Sequence, residues 1–211
     1  MLPIEKIWYA VVNPNAGSGK TVTEWPKAET VLKESRIEYE YRTTWQSGAA
    51  IEITIKACET GYRRFLAVGG DGTVHEVLEG IVRFIEMSSV AAAFEAGAHI
   101  PSLSDFTLAV IPVGSGNDWI RTLGVPKNPI EITRLLKNEH FGKQDVFRIK
   151  GRDSETSTDV VSYMANISRF LSPMCCAASL FAAAWLPTGR QSLKETLFRL
   201  RWVSGNIREA G

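Results

Sequence analysis

Apolar residues along this chain fall into short continuous runs separated by amphipathic stretches. Residues 7–12, IWYAVV, are apolar nearly throughout, as a strand buried on both faces requires. The loop NPNAGSGK follows, and its Asn, Pro and Gly mark a sharp turn. Residues 21–34 then read as a helix with Val22, Trp25, Val31 and Leu32 on one side. Residues 37–43 alternate, Ile37, Tyr39 and Tyr41 against Glu38, Glu40 and Arg42, which predicts a half-buried strand. Ser47 is placed to cap a helix that ends before Gly61.

The second half repeats the pattern. A short apolar strand at 65–68 runs into GGDGT. Val74, Val77, Leu78, Ile81, Val82 and Ile85 then fall at helical spacing, the clearest amphipathic helix in the chain. Residues 87–106 are alanine-rich, then turn-rich, and read as a partly helical surface excursion. Another apolar strand at 107–111 breaks at PVGSGND. Asn128, Pro129 and Glu131 make a helix start, with Ile132, Leu135 and Leu136 on its buried face. Residues 144–150 and 160–166 read as strands joined by a polar, hairpin-like loop.

Strand–helix alternation predicts an α/β fold with a parallel sheet and helices on its faces. Ligands of such sheets sit at the carboxyl ends of the strands. Here the strands ending near Val12, Val68 and Ile111 all run into Gly-rich loops, so all three loops converge on one edge. Glycines let a ligand approach the backbone, and N–H groups at a loop-to-helix junction attract anions. The convergence therefore suggests a polyphosphate, against the plainer reading of three tight turns.

Composition narrows this further. With 211 residues, 45% apolar and 22% charged, the chain is an ordinary globular one, long enough to bury a core. A net charge of +1 gives no electrostatic case for nucleic acid as a partner. Three cysteines, Cys58, Cys175 and Cys176, form no even framework and suggest a reducing compartment. The N-terminus lacks the apolar core of a signal peptide. The longest apolar run, 174–186, has 13 residues, short of a membrane span. A soluble, cytoplasmic protein without a transmembrane segment is the expectation.

Several familiar motifs do not apply. GSGKT lacks the first glycine of a Walker A loop, because Pro14 stands there, so Lys20 is as well explained as a solvated lysine. G-x-G-x-x-G ends on Val22, His75 or Trp119 in place of the last glycine. His75-Glu76 is no zinc motif, since Glu79 stands four residues after His75. Asp71, between glycines and directly before a helix, is a candidate for phosphate-bound Mg²⁺, its alternative being a helix cap. Thr73 is a second cap candidate, and Glu76, one turn on, is equally explained by complementing the helix dipole.

Together NPNAGSGK at 13–20, GGDGTVHE at 69–76 and PVGSGND at 112–118 resemble the catalytic domain of the diacylglycerol kinase family, which includes bacterial lipid kinases and sphingosine kinases. The resemblance covers about residues 5–166. GGDGT alone is less specific, since NAD kinases and phosphofructokinases share similar versions, but PVGSGND followed by Trp119-Ile120-Arg121 resembles the lipid kinase form. The resemblance implies a Rossmann-like or phosphofructokinase-like sheet with helices on both faces. It implies ATP and Mg²⁺ as cofactors, with the γ-phosphoryl passing to a lipid hydroxyl such as that of diacylglycerol. It places Asn13, Pro14, Asn15, Ala16 and Gly17 along the nucleotide, and Gly69, Gly70, Asp71, Gly72 and Thr73 around its phosphates. Thr44 matches a family threonine four residues before a glycine, here Gly48, with strand termination as its plainer role. Glu76 falls on the motif glutamate, and Gly114, Ser115, Asn117 and Asp118 on the third motif, where Ser115 replaces the usual threonine. Helix capping is the plainer role of Asn117 and Asp118. The lipid would be met at the inner membrane surface, with a homodimer as an open option. An NAD kinase-like enzyme and a non-catalytic nucleotide-binding regulator or degenerate fragment stay open as alternatives.

The chain departs from the family after about residue 167. The expected division is a nucleotide-binding domain at 1–142, the start of a β-rich second domain at 143–167 and an atypical tail at 168–211. The family's β-sandwich, which supplies the catalytic acidic base, is expected to be largely missing, and lipid turnover impaired. Residues 168–211 carry +4 against −3 for the rest and show no sandwich-type alternation. An altered reading frame is one account of them. A basic amphipathic helix over 188–201 that touches anionic lipid is another.

Overall fold

The fold is that of a computed structural model, which describes residues 3–94, 100–113, 117, 120–121, 124–152, 159–164 and 198–203. Four parallel strands form its centre: β1 (Trp8–Val12), β2 (Tyr39–Thr43), β3 (Arg64–Gly69) and β4 (Thr107–Pro112). Between them lie α1 (Thr21–Glu34), α2 (Ala49–Glu59) and α3 (Asp71–Ala92). Then come α4 (Pro129–Lys137), β5 (Phe141–Arg152), β6 (Asp159–Met164) and β7 (Phe198–Val203). The strand order is β2-β1-β3-β4-β7-β5-β6.

Right-handed crossovers decide the layers. The step from β1 to β2 runs one way along the sheet, while β2 to β3 and β3 to β4 run the other. Thus α1 lies on one face and α2 with α3 on the opposite one. The contacts agree, since α2 packs on α3 and α1 on α4. The α/β reading with helices on both faces is borne out.

The central strands carry the continuous apolar runs that burial on both faces demands. All of β1 is buried, as is β3 from Phe65 to Gly69 and β4 from Thr107 to Ile111. Beneath α2 and α3 an aromatic cluster of Tyr9, Tyr62, Phe65, Phe84 and Phe106 fills the space. The Arg63 guanidinium lies over the rings of Phe84 and Phe106, 5.3 and 5.0 Å from their centroids. It also donates to the Cys58 and Tyr62 carbonyls, at 2.9 and 2.8 Å, so one cation closes the end of α2. Cys58 is 1% exposed, and burial pushes its thiol up to about 12.

Local expectations fare unevenly. Asn128 caps α4 as its sequence suggests, its Oδ1 accepting from the Ile130 N–H at 2.9 Å. The hairpin is present, with Phe147 opposite Met164 and Arg152 opposite Asp159. The α1 face and the basic helix need correction. Val22 is 64% exposed, and the buried stripe of α1 is Thr21, Trp25, Ala28 and Leu32. Those four positions fall at i, i+4, i+7 and i+11, so a buried threonine replaces the valine. The basic helix expected over 188–201 does not extend through 198–201, which belong to β7, between β4 and β5. FRLRWV alternates with period two, which suits a strand; residues 188–197 lie outside the described residues. The excursion at 87–106 starts as a continuation of α3 to Ala92 and ends in a 3₁₀ turn at Leu103–Asp105. No described helix is long and apolar enough to cross a membrane.

Where α3 crosses α2, Gly80 leaves no room for a side chain. A Cβ there would stand 2.7 Å from the Thr54 Cβ and 2.8 Å from the Ile51 carbonyl oxygen. In an open helix Gly→Ala stabilises by about 1 kcal/mol. Here Gly80→Ala should destabilise by about 1–3 kcal/mol, the usual cost of overpacking. Urea unfolding followed by circular dichroism reads the sign, and an unchanged or higher midpoint would show that the two helices sit further apart.

Candidate functional site

The parallel strands are paired so that their carboxyl ends stand level. Val12 is opposite both Thr43 and Val68, and Val68 is opposite Ile111. One further rung of hydrogen bonds lies beyond them. The Thr44 N–H donates to the Val12 carbonyl at 2.8 Å, Asn13 to Val68 at 3.0 Å and Val113 to Gly69 at 2.9 Å. The loops after β1, β2, β3 and β4 therefore leave the sheet side by side.

Asn13 organises the first loop. Its Oδ1 accepts from the Asn15 N–H at 3.0 Å, which turns the chain back on itself. Its Nδ2 donates to Thr73 Oγ1 at 3.1 Å, which ties this loop to the one after β3. Pro14, Ala16 and Gly17 are partly exposed and Asn15 exposed, so the loop presents backbone to the edge. Gly17, Ser18 and Gly19 have φ of 60°, 59° and 83°, a left-handed run in which glycine is the cheap residue. Lys20 heads α1 as its N-cap residue, exposed and contributing no side-chain cap, which fits the solvated reading of that lysine.

Gly70 is the N-cap residue of α3 and Asp71 the first helical residue. The N-cap position is a glycine, and Asp71 and Thr73 stand inside the helix, so neither takes the N-cap place that its sequence position suggested. Thr73, 3% exposed, serves Asn13 instead. Asp71 sets a carboxylate at the positive end of α3, with Oδ1 shut away from solvent. Gly69 has to be glycine for room, because a Cβ there would run into the Thr73 side chain. Gly72 faces open space.

Glu76 departs from the expectation that it complements the dipole of its own helix. Its Oε1 accepts from the Gly48 N–H at 3.0 Å and its Oε2 from the Ala50 N–H at 3.3 Å. It complements a helix dipole, but that of α2. Ser47 does not cap α2, whose N-cap residue is Gly48 at φ 82°. Sequence reasoning missed this contact, although a glycine directly before a helix, with no acceptor of its own, signals that a partner must come from elsewhere. From the third motif, Asn117 is 3% exposed, and a Cβ on Gly70 would stand 3.5 Å from its Oδ1. Asn117 thus comes within contact range of the GGDGT loop. Gly114, Ser115 and Asp118 lie outside the described residues.

Thr44, Asn13, Gly69–Thr73 and Asn117 thus meet at one edge. Two grooves of about 500 and 480 Å³ lie elsewhere, flanking the edge strand β2, and neither is lined by a glycine of these loops. Among the described residues no three His, Cys, Asp or Glu side chains converge as a metal cage would require.

A family profile described as the diacylglycerol kinase catalytic domain matches residues 8–149. A Chromohalobacter salexigens protein named "Probable lipid kinase YegS-like" is 29% identical over 119 residues, which are 56% of this chain and 33% of the relative. A Pseudomonas aeruginosa protein of the same name is 32% identical over 109 residues, 52% of this chain and 30% of the relative. The matched region spans about a third of the length of these curated relatives. A crystal structure described as "a putative diacylglycerol kinase from Bacillus anthracis str. Sterne" superposes with a TM-score of 0.51 at 29% identity, covering 68% of this chain and 46% of that one.

The Asn13–Thr73 bond is the direct link between the first two loops. Thr73→Val keeps the shape and removes the acceptor, and should cost about 1 kcal/mol. A double-mutant cycle with Asn13→Ala in urea unfolding isolates the pair from the Asn15 turn. A coupling energy indistinguishable from zero would mean that the two loops are held together by something else.

Proposed function

The chain belongs to the diacylglycerol kinase catalytic domain family, and from that premise we propose that its loop edge binds ATP with Mg²⁺ for transfer of the γ-phosphoryl group to a lipid hydroxyl. The observation that carries the proposal is the level convergence of the loops, with Asn13 bonded to Thr73 and Asn117 set close to Gly70. Catalysis of phosphoryl transfer is mainly positioning and charge stabilisation, which is what a rigid edge of backbone N–H groups supplies.

In this reading Asn13 to Gly17 line the nucleotide and Gly69 to Thr73 surround its phosphates. Thr44 stands at the neighbouring strand end, Asn117 comes close to Gly70, and Gly114, Ser115 and Asp118 of the same motif are proposed to contact the nucleotide. The α1 and α3 N-termini, whose N-cap residues Lys20 and Gly70 provide no side-chain cap, turn their partial positive charge toward the polyphosphate. The donor set does not suit an all-protein cage. It suits a Mg²⁺ held mostly by the phosphates and approached by one carboxylate, the usual arrangement for this ion. Asp71 fits that task. Bound there, Mg²⁺ would neutralise charge developing on the transferred phosphoryl group. The acceptor is a lipid such as diacylglycerol, taken at the cytoplasmic membrane surface by a peripheral enzyme. An NAD kinase is disfavoured by PVGSGND and by the family match.

Thermal unfolding with and without Mg²⁺–ATP tests the site directly. A ligand that binds only the folded state adds about 2.7 kcal/mol at 100 times its Kd. The melting temperature should rise with Mg²⁺–ATP, and Asp71→Asn should remove the part of the rise that needs Mg²⁺. A cooperative transition indifferent to Mg²⁺–ATP would overturn the proposal, and an equal response of Asp71→Asn would move the metal to another residue.

A further inference from the structure

The α2 helix begins without a cap of its own. Gly48 has no side chain and sits at φ 82°, and the first N–H groups of a helix have no partner within it. Glu76 supplies the partner from the neighbouring helix, one carboxylate oxygen to each of two N–H groups, at 3.0 and 3.3 Å. Such bonds are charge-assisted, and a carboxylate at a helix N-terminus is favoured by the dipole. With both oxygens used in this way, the carboxylate is directed at α2.

The consequence lies in the loop between. Residue 44 is pinned to the sheet through its N–H, 2.8 Å from the Val12 carbonyl. Residue 48 is pinned to α3 through Glu76. Without the Glu76 bonds the loop would be held at its β2 end, with its other end secured only through α2. The α3 helix uses successive positions of one face for this. Thr73 holds the first loop, Glu76 holds the 44–48 loop, and Gly80 admits the backbone of α2 to close range.

We propose that Glu76 is a positioning residue of the nucleotide site: it holds Thr44 and the 44–48 loop in place by capping α2 and does not itself bind nucleotide or metal. The inference rests on the nucleotide reading given above.

Calorimetric titration of the full chain with Mg²⁺–ATP, and with ATP in excess chelator, separates the alternatives, using wild type, Glu76→Gln and Glu76→Ala. Glu76→Gln keeps an acceptor for Gly48 and loses the one for Ala50. Glu76→Ala loses both. Glu76→Ala should weaken both forms of ATP by a similar factor, roughly tenfold, as expected when a binding loop is misplaced. Glu76→Gln should lie between. Amide exchange at residues 48–50 should speed up while β1 and β3 stay protected. A loss confined to Mg²⁺–ATP would make Glu76 a metal ligand and overturn the inference. So would unchanged exchange at 48–50, or equal affinities in all three proteins. Should Glu76→Ala fail to fold, Glu76→Gln carries the same comparison. Wild type that binds neither form of ATP would sink the nucleotide reading and this inference with it. Wild type and variants that bind alike sink the inference alone.

Discussion

The site depends on the register of a parallel sheet. Strands β2, β1, β3 and β4 are paired without stagger, so Thr43, Val12, Val68 and Ile111 lie on one line across it. In β1, β3 and β4, buried on both faces, a slip by one residue would exchange the two faces and misplace every packed side chain, so packing specifies their register, while the mostly exposed β2 takes its register from its ladder with β1. The same burial that stabilises the domain therefore levels the loops. Chemistry at the edge follows from hydrophobic packing several residues away.

The α3 helix converts that alignment into a rigid edge. It starts at once after β3, with a single N-cap glycine between strand and helix. No slack exists at this junction, and the helix face carrying Thr73, Glu76 and Gly80 is fixed relative to the sheet. Each of these residues meets a different neighbour: Asn13, the start of α2, and the body of α2. Room rather than backbone freedom explains Gly69 and Gly80, since a methyl group at either would strike an ordered side chain or carbonyl. Gly48 is different, because its φ of 82° is the reason it is glycine.

Much of this was legible beforehand, and the exceptions share a cause. Strand positions, helix positions and the Asn128 cap follow from local pattern, and local pattern is what a single chain displays. Val22 was misplaced because a helix face is set by what it packs on, and α1 turns Thr21 inward. The capping of α2 was misread because the natural local candidate, Ser47, is displaced by a carboxylate 26 residues beyond Ala50. The strand at Phe198–Val203 carries a weak local signal, since six residues of period-two alternation are short and the basic composition around them equally suits an amphipathic helix. Its partners, β4 and β5, lie far back along the chain. In each case the deciding interaction is long-range.

Long-range capping also bears on where an anion would sit. The helices α1, α2 and α3 start at this edge, and in isolation each N-terminus would attract negative charge equally. Glu76 already satisfies that of α2, with a full negative charge against Gly48 and Ala50. A second anion there would meet repulsion. The α1 and α3 N-cap residues, Lys20 and Gly70, provide no side-chain cap. Their strands, β1 and β3, are adjacent, and the Asn13–Thr73 bond draws their loops together. The place proposed for the polyphosphate is therefore between α1 and α3, where the Asp71 carboxylate at the start of α3 calls for the Mg²⁺ of that proposal to stand between the two negative groups. In the proposed site the 44–48 loop is a wall, held by a carboxylate that occupies the start of α2.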